Sequence, residues 1–285
     1  MRGVLFFVLL AFFPATFGQH EGFETKSVPL AFVAEAPGEH ALSPNEDLPA
    51  EAPPFLVHIG PPEFRPDDQV VVHSGFSLLY DEDHEQAAWV AYELSSDKTQ
   101  KNFGRTDKFL SDPLVLTGTS THSDYRGSGF DRGHLAPAAD MAWEANAMAE
   151  SFYYSNISPQ KPGFNRGIWK KMESQTRTWA IEHGRVYIVT GPVLSPGLPS
   201  IGANKVSVPS FFYKVILDYE MPGIRGIGFI FPNEGSKKPL QDFAVTIDSV
   251  ERLTRINFFP LLDEAQEQLI EAALCVACWS WEGNN

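Results

Sequence analysis

The sequence predicts an α+β domain built around a largely antiparallel sheet, and two observations support that reading. Short segments rich in β-branched and aromatic residues, bounded by Gly, Pro or Asp, recur along the chain. Helical patterns fall between and after them, without the regular βαβ alternation that a parallel sheet requires. With 43% of its 285 residues hydrophobic and 13% aromatic, the chain has material for a sizeable core, which excludes a wholly disordered, collagen-like or repeat-polymer protein.

The chain opens with Met1-Arg2-Gly3 and an apolar run over residues 4–13, too short to span a bilayer. Pro14 ends the run, and Thr16-Phe17-Gly18 sets small residues three and one before a cleavage point. Residues 1–18 therefore read as a secretory signal peptide, with an uncleaved anchor as the alternative. A mitochondrial presequence is disfavoured because Arg2 is the only base before Lys26. Over residues 19–57, Glu21, Glu24, Glu35, Glu39, Glu46, Asp47 and Glu51 face one base, Lys26, in an Ala- and Pro-rich stretch that reads as a disordered tether. Residues 58–278 then form one domain of about 220 residues, followed by a tail at 279–285. No later stretch is apolar enough for a membrane span, so the expected mature chain is soluble and either secreted or periplasmic.

Within the domain, strands are expected over 74–80, 88–94, 185–190, 211–219 and 224–231. The clearest helix covers about 165–182, where Ile168, Trp169, Met172, Thr176, Trp179 and Ala180 recur at three- and four-residue spacings and Gly184 is a stop. Further helices are expected over roughly 142–154 and 263–277.

The formal charge of −14 argues at first against a polyanionic partner. The charge is uneven, however: residues 101–185 sum to +2 and the other 200 to −16, of which the tether holds −6. The basic stretch contains the densest cluster of reactive residue types, centred on Asp131-Arg132-Gly133-His134 with Ala136-Pro137 just beyond. A second block follows, Ser155-Asn156-Ile157-Ser158-Pro159-Gln160 and then Asn165, Trp169 and Glu173 at four-residue intervals.

The two blocks together resemble the signature of the DNA/RNA non-specific endonucleases, the group that includes secreted bacterial sugar-nonspecific nucleases and endonuclease G. The resemblance spans about 68–272 and includes Thr190-Gly191-Pro192 and Val208-Pro209-Ser210-Phe211-Phe212. It implies a ββα-metal fold and a Mg²⁺-dependent endonuclease that hydrolyses DNA and RNA to 5′-phosphate products, with Mn²⁺ or another divalent ion as a substitute. The residues fit that chemistry. His134 is a general base, because an ordinary imidazole is largely neutral at pH 7. The small Gly133 beside it lets the chain approach a phosphate.

The resemblance makes Asn165 the direct Mg²⁺ ligand, where the residues alone would favour a helix cap. Glu173, on the same helical stripe, is carried over as a group acting on the metal through water, with a solvated surface position as its alternative. Trp169 reads as packing. Asn156 orients the site through hydrogen bonds. Arg132 and Arg105 resemble the family's phosphate-contacting arginines, since a guanidinium fork suits phosphate oxygens; either could instead be an ordinary salt-bridge partner, Arg132 to Asp131 being the obvious pairing, and Asp131 reads as a turn-shaping residue.

Cys275 and Cys278, the only cysteines, allow a redox pair, half a metal site, a local disulfide or simple packing, and a non-catalytic role is favoured. His58, His73, His84, His122 and His183 show no ligand spacing and read as surface or loop residues. Two rivals stand beside the leading function: a narrower single-strand-preferring or 5′ exonuclease of the same fold, and an inactive nucleic-acid-binding surface protein. The resemblance leaves a homodimer and an inhibitor partner open.

Overall fold

The computed structural model describes residues 59–220 and 223–281; the expected signal peptide, the tether, His58 and residues 282–285 lie outside the described residues. Eleven strands are described: β1 (Gln69–Val72), β2 (Ser77–Asp81), β3 (Gln86–Ser95), β4 (Asp131–His134), β5 (Ile157–Gln160), β6 (Arg185–Pro192), β7 (Ser200–Ile201), β8 (Val206–Ser207), β9 (Phe211–Asp218), β10 (Arg225–Pro232) and β11 (Ala244–Val245). Seven of them form one sheet in the order β1-β2-β3-β6-β9-β10-β11, antiparallel at every junction. The antiparallel α+β expectation is met. β4 and β5 pair separately as a two-stranded ribbon.

The helices are α1 (His122–Tyr125), α2 (Ala145–Glu150), α3 (Lys170–His183), α4 (Ile247–Thr254) and α5 (Glu264–Glu271). Both faces of the sheet are covered, so β3 and β9 read as near-continuous apolar runs rather than as alternating ones. On one face Val90, Tyr92, Phe212 and Ile216 pack with Trp169, Met172 and Trp179 from α3 and the turn before it. On the other Trp89, Ala91, Val215 and Leu217 pack with Ile247, Val250 and Ile270 from α4 and α5.

The five expected strands are present with ends shifted by up to a few residues. The helix expected over 142–154 shrinks to α2. After Glu150 the amides of Phe152 and Tyr153 bond three residues back, tightening the turn, and Tyr154 N–H then donates to Leu110 O at 2.9 Å. The last expected helix stops at Glu271, and Cys275 and Cys278 form a disulfide. The packed domain also continues past 278, where a tail was expected: Trp279 is buried with its ring 4.6 Å from that of Trp179, and Trp281 stacks edge-on against the same ring. Among the described residues no helix is long and apolar enough to cross a membrane.

Candidate active site

The site is built from the β4–β5 ribbon and the helical segment that follows it. Gly133 lies opposite Ser158 in the ribbon, and a Cβ there would fall 2.1 Å from Gln160 Cδ. Its lack of a side chain thus makes room for Gln160, which corrects the expectation of an opening for phosphate. After β5 the chain enters a π-helical turn, Phe164–Trp169, rather than the single helix expected from 165. Gly167 leaves helical geometry there (φ −107°, ψ −108°), and α3 begins at Lys170. Gly184, at φ +81°, ends α3 as expected.

The turn is capped at Gly163, so Asn165 lies inside it and not at the cap position. Its Nδ2 donates to Asp131 Oδ2 at 2.9 Å, and because a carboxylate can only accept, the amide orientation is set and the Asn165 carbonyl oxygen is left for another partner. Asp131 also accepts from Arg166 at 2.8 and 2.6 Å. Burial works against its charge, but the hydrogen bonds from Arg166 and Asn165 outweigh it and hold the carboxyl below the usual range. The alternative of an Asp131–Arg132 ion pair is not realised: Asp131 pairs with Arg166. Arg132 instead lies with its guanidinium 3.9 Å from the centre of the Phe109 ring and 3.4 Å from His122 Nδ1. The role of Asp131 is therefore larger than turn-shaping.

His134 is 7% exposed, wedged between Phe109 and Phe152. Burial first, then the charges of Arg105 and Arg132, push its imidazole down to about 3, with Asp107 opposing. The ring is neutral at pH 7, and its Nε2 is enclosed with no hydrogen-bond partner among the described residues. Its carbonyl accepts from Trp169 Nε1 at 3.3 Å, so Trp169 ties the helical segment to the ribbon while filling the core.

Asn156 is fully buried and spends its amide on backbone: Oδ1 accepts from Ala136 N, and Nδ2 donates to Ala136 O and Ser151 O, all at 2.9 Å. It holds the chain leaving His134 and does not reach into the site. Arg105 is half exposed, paired with Asp107 at 2.6 Å, and has its guanidinium 4.9 Å from the Phe152 ring centre.

Arg105, Arg126, Arg132, Arg166 and Asn165 line one groove, with Asp107 and Asp131 as its only acids. That is the local basic surface anticipated from the charge distribution. Glu173 is not on this lining. It lies in a mostly buried charge cluster with Asp140, Arg177 and Lys214, where burial and Asp140 push its carboxyl up against the pull of Lys214 and Arg177. The same cluster joins Arg177 to Asp140 at 2.7 Å. Lys214 is fully buried on β9, its Nζ 4.7 Å from the Trp169 ring centre and without a hydrogen-bond partner.

Sequence reasoning passed over Lys214, although a lone lysine inside the apolar segment 211–218 was a visible signal. Arg177, one turn after Glu173, and Asp140 were passed over too. His73 also differs from expectation: it is buried, with Nε2 2.8 Å from Asp112, so it is a core pair and not a surface group.

With this geometry established, comparison with known proteins is informative. The profile described as DNA/RNA non-specific endonuclease matches residues 62–265. The chain belongs to that family. The DNA/RNA non-specific endonuclease fold is also found in a solved structure, "Crystal structure of the EndoG/EndoGI complex: Mechanism of EndoG inhibition". It aligns at TM-score 0.66 and 32% identity over 71% of this chain and 90% of that one. Among named relatives, "Nuclease C1" of Cunninghamella echinulata var. echinulata is 37% identical over 73% of this chain and 90% of its own length. "Nuclease EXOG, mitochondrial" of Danio rerio is 36% identical over 66% of this chain, which spans only 60% of that relative. The ribbon β4–β5 followed by the helical segment is the ββα unit of this family.

The family's enzymes are metal-dependent nucleases. The site fits a hard divalent ion: one oriented amide oxygen, in a solvent-open groove, suits an ion that keeps most of its own waters.

Proposed function

We propose that this chain is an exported, Mg²⁺-dependent endonuclease that hydrolyses DNA and RNA to 5′-phosphate products. The observation that supports it best is a neutral, buried His134 packed behind Phe109, which with Arg105 and Arg132 lines the groove where Asp131 aims the Asn165 oxygen; His134 itself is not on that lining.

In this reading Arg132 and Arg105 grip the phosphate oxygens of the substrate through their guanidinium forks. Both lie close enough to His134 to depress its basicity, so a bound phosphate, by neutralising them, restores proton affinity to the imidazole at the moment it is needed. Because Nε2 is closed off, Nδ1 takes the proton as a water attacks phosphorus in line. The 3′ oxygen departs with a proton from solvent, leaving the phosphate on the 5′ side. Asn165 would hold the divalent ion, which when bound supplies positive charge to the phosphate oxygens and the leaving group. Glu173 accepts a hydrogen bond from a groove water, and Asn156 positions His134 through the backbone at Ala136.

The test incubates the purified chain with supercoiled plasmid, linear duplex, single strands and RNA, with Mg²⁺ and with EDTA, and maps product ends. Cleavage of all four, abolished by EDTA and leaving 5′-phosphates, is expected. Cleavage that persists in EDTA would reject the metal, and 3′-phosphate ends would reject the direction of attack. For export, the N-terminus of protein from the culture medium should be Gln19; retention of an intact leader inside the producing cell would count against it.

A further inference from the structure

On the sheet face opposite the Trp169 layer, three carboxylates converge where α4 meets α5. Asp248 and Glu251 stand three residues apart on α4 and so share one side of it, and Glu271 is the last residue of α5. One oxygen from each lies within 4.8 Å of the others. Two of the three have partial compensation within the protein. Glu251 Oε1 accepts Phe258 N–H at 2.9 Å, and Asp248 has Arg252 at 3.8 Å on an exposed surface. Glu271 has none. It is 4% exposed, and its Oε1 is fully enclosed without a hydrogen-bond partner among the described residues.

A buried carboxylate normally has a cation or a set of donors beside it, because the loss of hydration is otherwise unmet. Among the described residues none donates to this oxygen, and the neighbouring Glu267 is itself an acid engaged by Asn257 Nδ2 at 3.1 Å. A surface cavity lined by Asp248, Gln268, Glu271 and Ala272 opens onto two of the three carboxylates and would admit an ion with its waters.

We propose that Asp248, Glu251 and Glu271 form a second cation site, for a divalent ion of the calcium class, that ties α4 to α5 and is separate from the nuclease groove. The ligand set favours calcium over magnesium. Three protein carboxylates with room for two-oxygen binding suit an ion that takes six to eight oxygens in adaptable geometry, whereas magnesium keeps its waters and uses one or two carboxylates. None of the three residues lines the arginine groove, so loss of this ion should loosen the α4–α5 corner and leave the phosphate-binding surface in place.

The experiment measures melting temperature and calorimetric binding on the full chain carrying Asn165→Ala, which removes the proposed groove ligand, against Ca²⁺ and Mg²⁺ separately. Ca²⁺ at about a hundredfold above its Kd should raise Tm by roughly 5–10 °C with one ion bound per chain. Adding Glu271→Gln should abolish that shift, and above pH 8 it should raise the calcium-free Tm, since burial and the neighbouring acids push this carboxyl up to about 8 and its charge is unmatched only above that. Asp248→Asn provides a second variant should the first fold poorly, and it should also blunt the shift. A shift that survives Glu271→Gln and Asp248→Asn, an equal shift with Mg²⁺, or no Ca²⁺ binding to the Asn165→Ala chain would each overturn the proposal, and none of these bears on cleavage by the groove.

Discussion

Asp131→Ala isolates the step by which the fold aims a metal ligand. In the native chain Asp131 accepts Asn165 Nδ2 at 2.9 Å and both arms of Arg166. Arg166 is largely exposed, so solvent screens that ion pair and it adds little to stability. The partly buried, charge-assisted bond to Asn165 contributes about 1.5–3 kcal/mol. Removing the carboxylate should therefore cost about 1.5–3 kcal/mol, too little to unfold a domain of this size.

The larger effect is on orientation. Once released, the Asn165 amide can present nitrogen instead of oxygen to a cation, and loss of such supporting partners elsewhere costs about 10–100-fold in metal affinity. The Mg²⁺ concentration for half-maximal plasmid cleavage should rise by that factor, while turnover at saturating Mg²⁺ stays near native. Asp131→Asn keeps one carbonyl oxygen for Asn165 and should fall between the two. Native protein should show the same loss in acid, because a carboxylate held below its usual pKa loses its partners as pH falls through that lowered value. An unchanged Mg²⁺ requirement in Asp131→Ala would refute the reasoning.

Three further outcomes are expected. By NMR titration His134 in the free protein should stay neutral at pH 5 and its midpoint should rise when a short oligonucleotide binds; a free-protein midpoint of 6–7 would show that burial and the arginines do not depress it. Because that depressed value lies below the unfolded value of about 6.5, the stability His134 contributes is complete above pH 6.5 and is lost as pH falls toward 3. Arg132→Ala should lower the slope of log activity against log salt by roughly 0.7–0.9, the equivalent of one phosphate contact, and an unaltered slope would remove Arg132 from the substrate. Lys214→Met should destabilise the fold by roughly 3–5 kcal/mol at pH ~7.5, between the Glu173 carboxyl pushed up to about 7 and the Lys214 ammonium pulled down to about 8 by burial, measured by urea denaturation, because Glu173 loses a buried partner. The deficit should shrink at pH 5, where the raised Glu173 carboxyl is protonated, and largely vanish with Glu173→Gln; a pH-independent deficit would mean that packing, not charge, is at work.

Much of this arrangement could be read from the residues. Strands β3, β6, β9 and β10 announce themselves because apolar, β-branched segments with turn residues at both ends have few other ways to fold. β1 and α4 do not. The Val70-Val71-Val72 run is too short to stand out until β2 pairs with it, and α4 ends on Arg255 at φ +64° where a glycine stop would have marked it. At the site, His134, Arg132 and Asn165 were found because their chemistry and motif spacing coincide. Their supports were harder to see, because pairings such as Asp131–Asn165, 34 residues apart, and Glu173–Lys214 exist only once the ribbon, α3 and β9 are packed together. Spacing is incomplete at Glu173: the π-helical turn and the break at Gly167 interrupt the regular helix that would carry it on one stripe with Asn165, and it lies off the groove lining but within electrostatic reach of the groove's Arg105.

The most direct measurement is the turnover of His134→Ala on supercoiled plasmid in saturating Mg²⁺, with its melting temperature recorded alongside. A fall of at least ~10²-fold with melting close to native is expected for loss of the general base. Full cleavage activity in a folded His134→Ala chain would contradict the account.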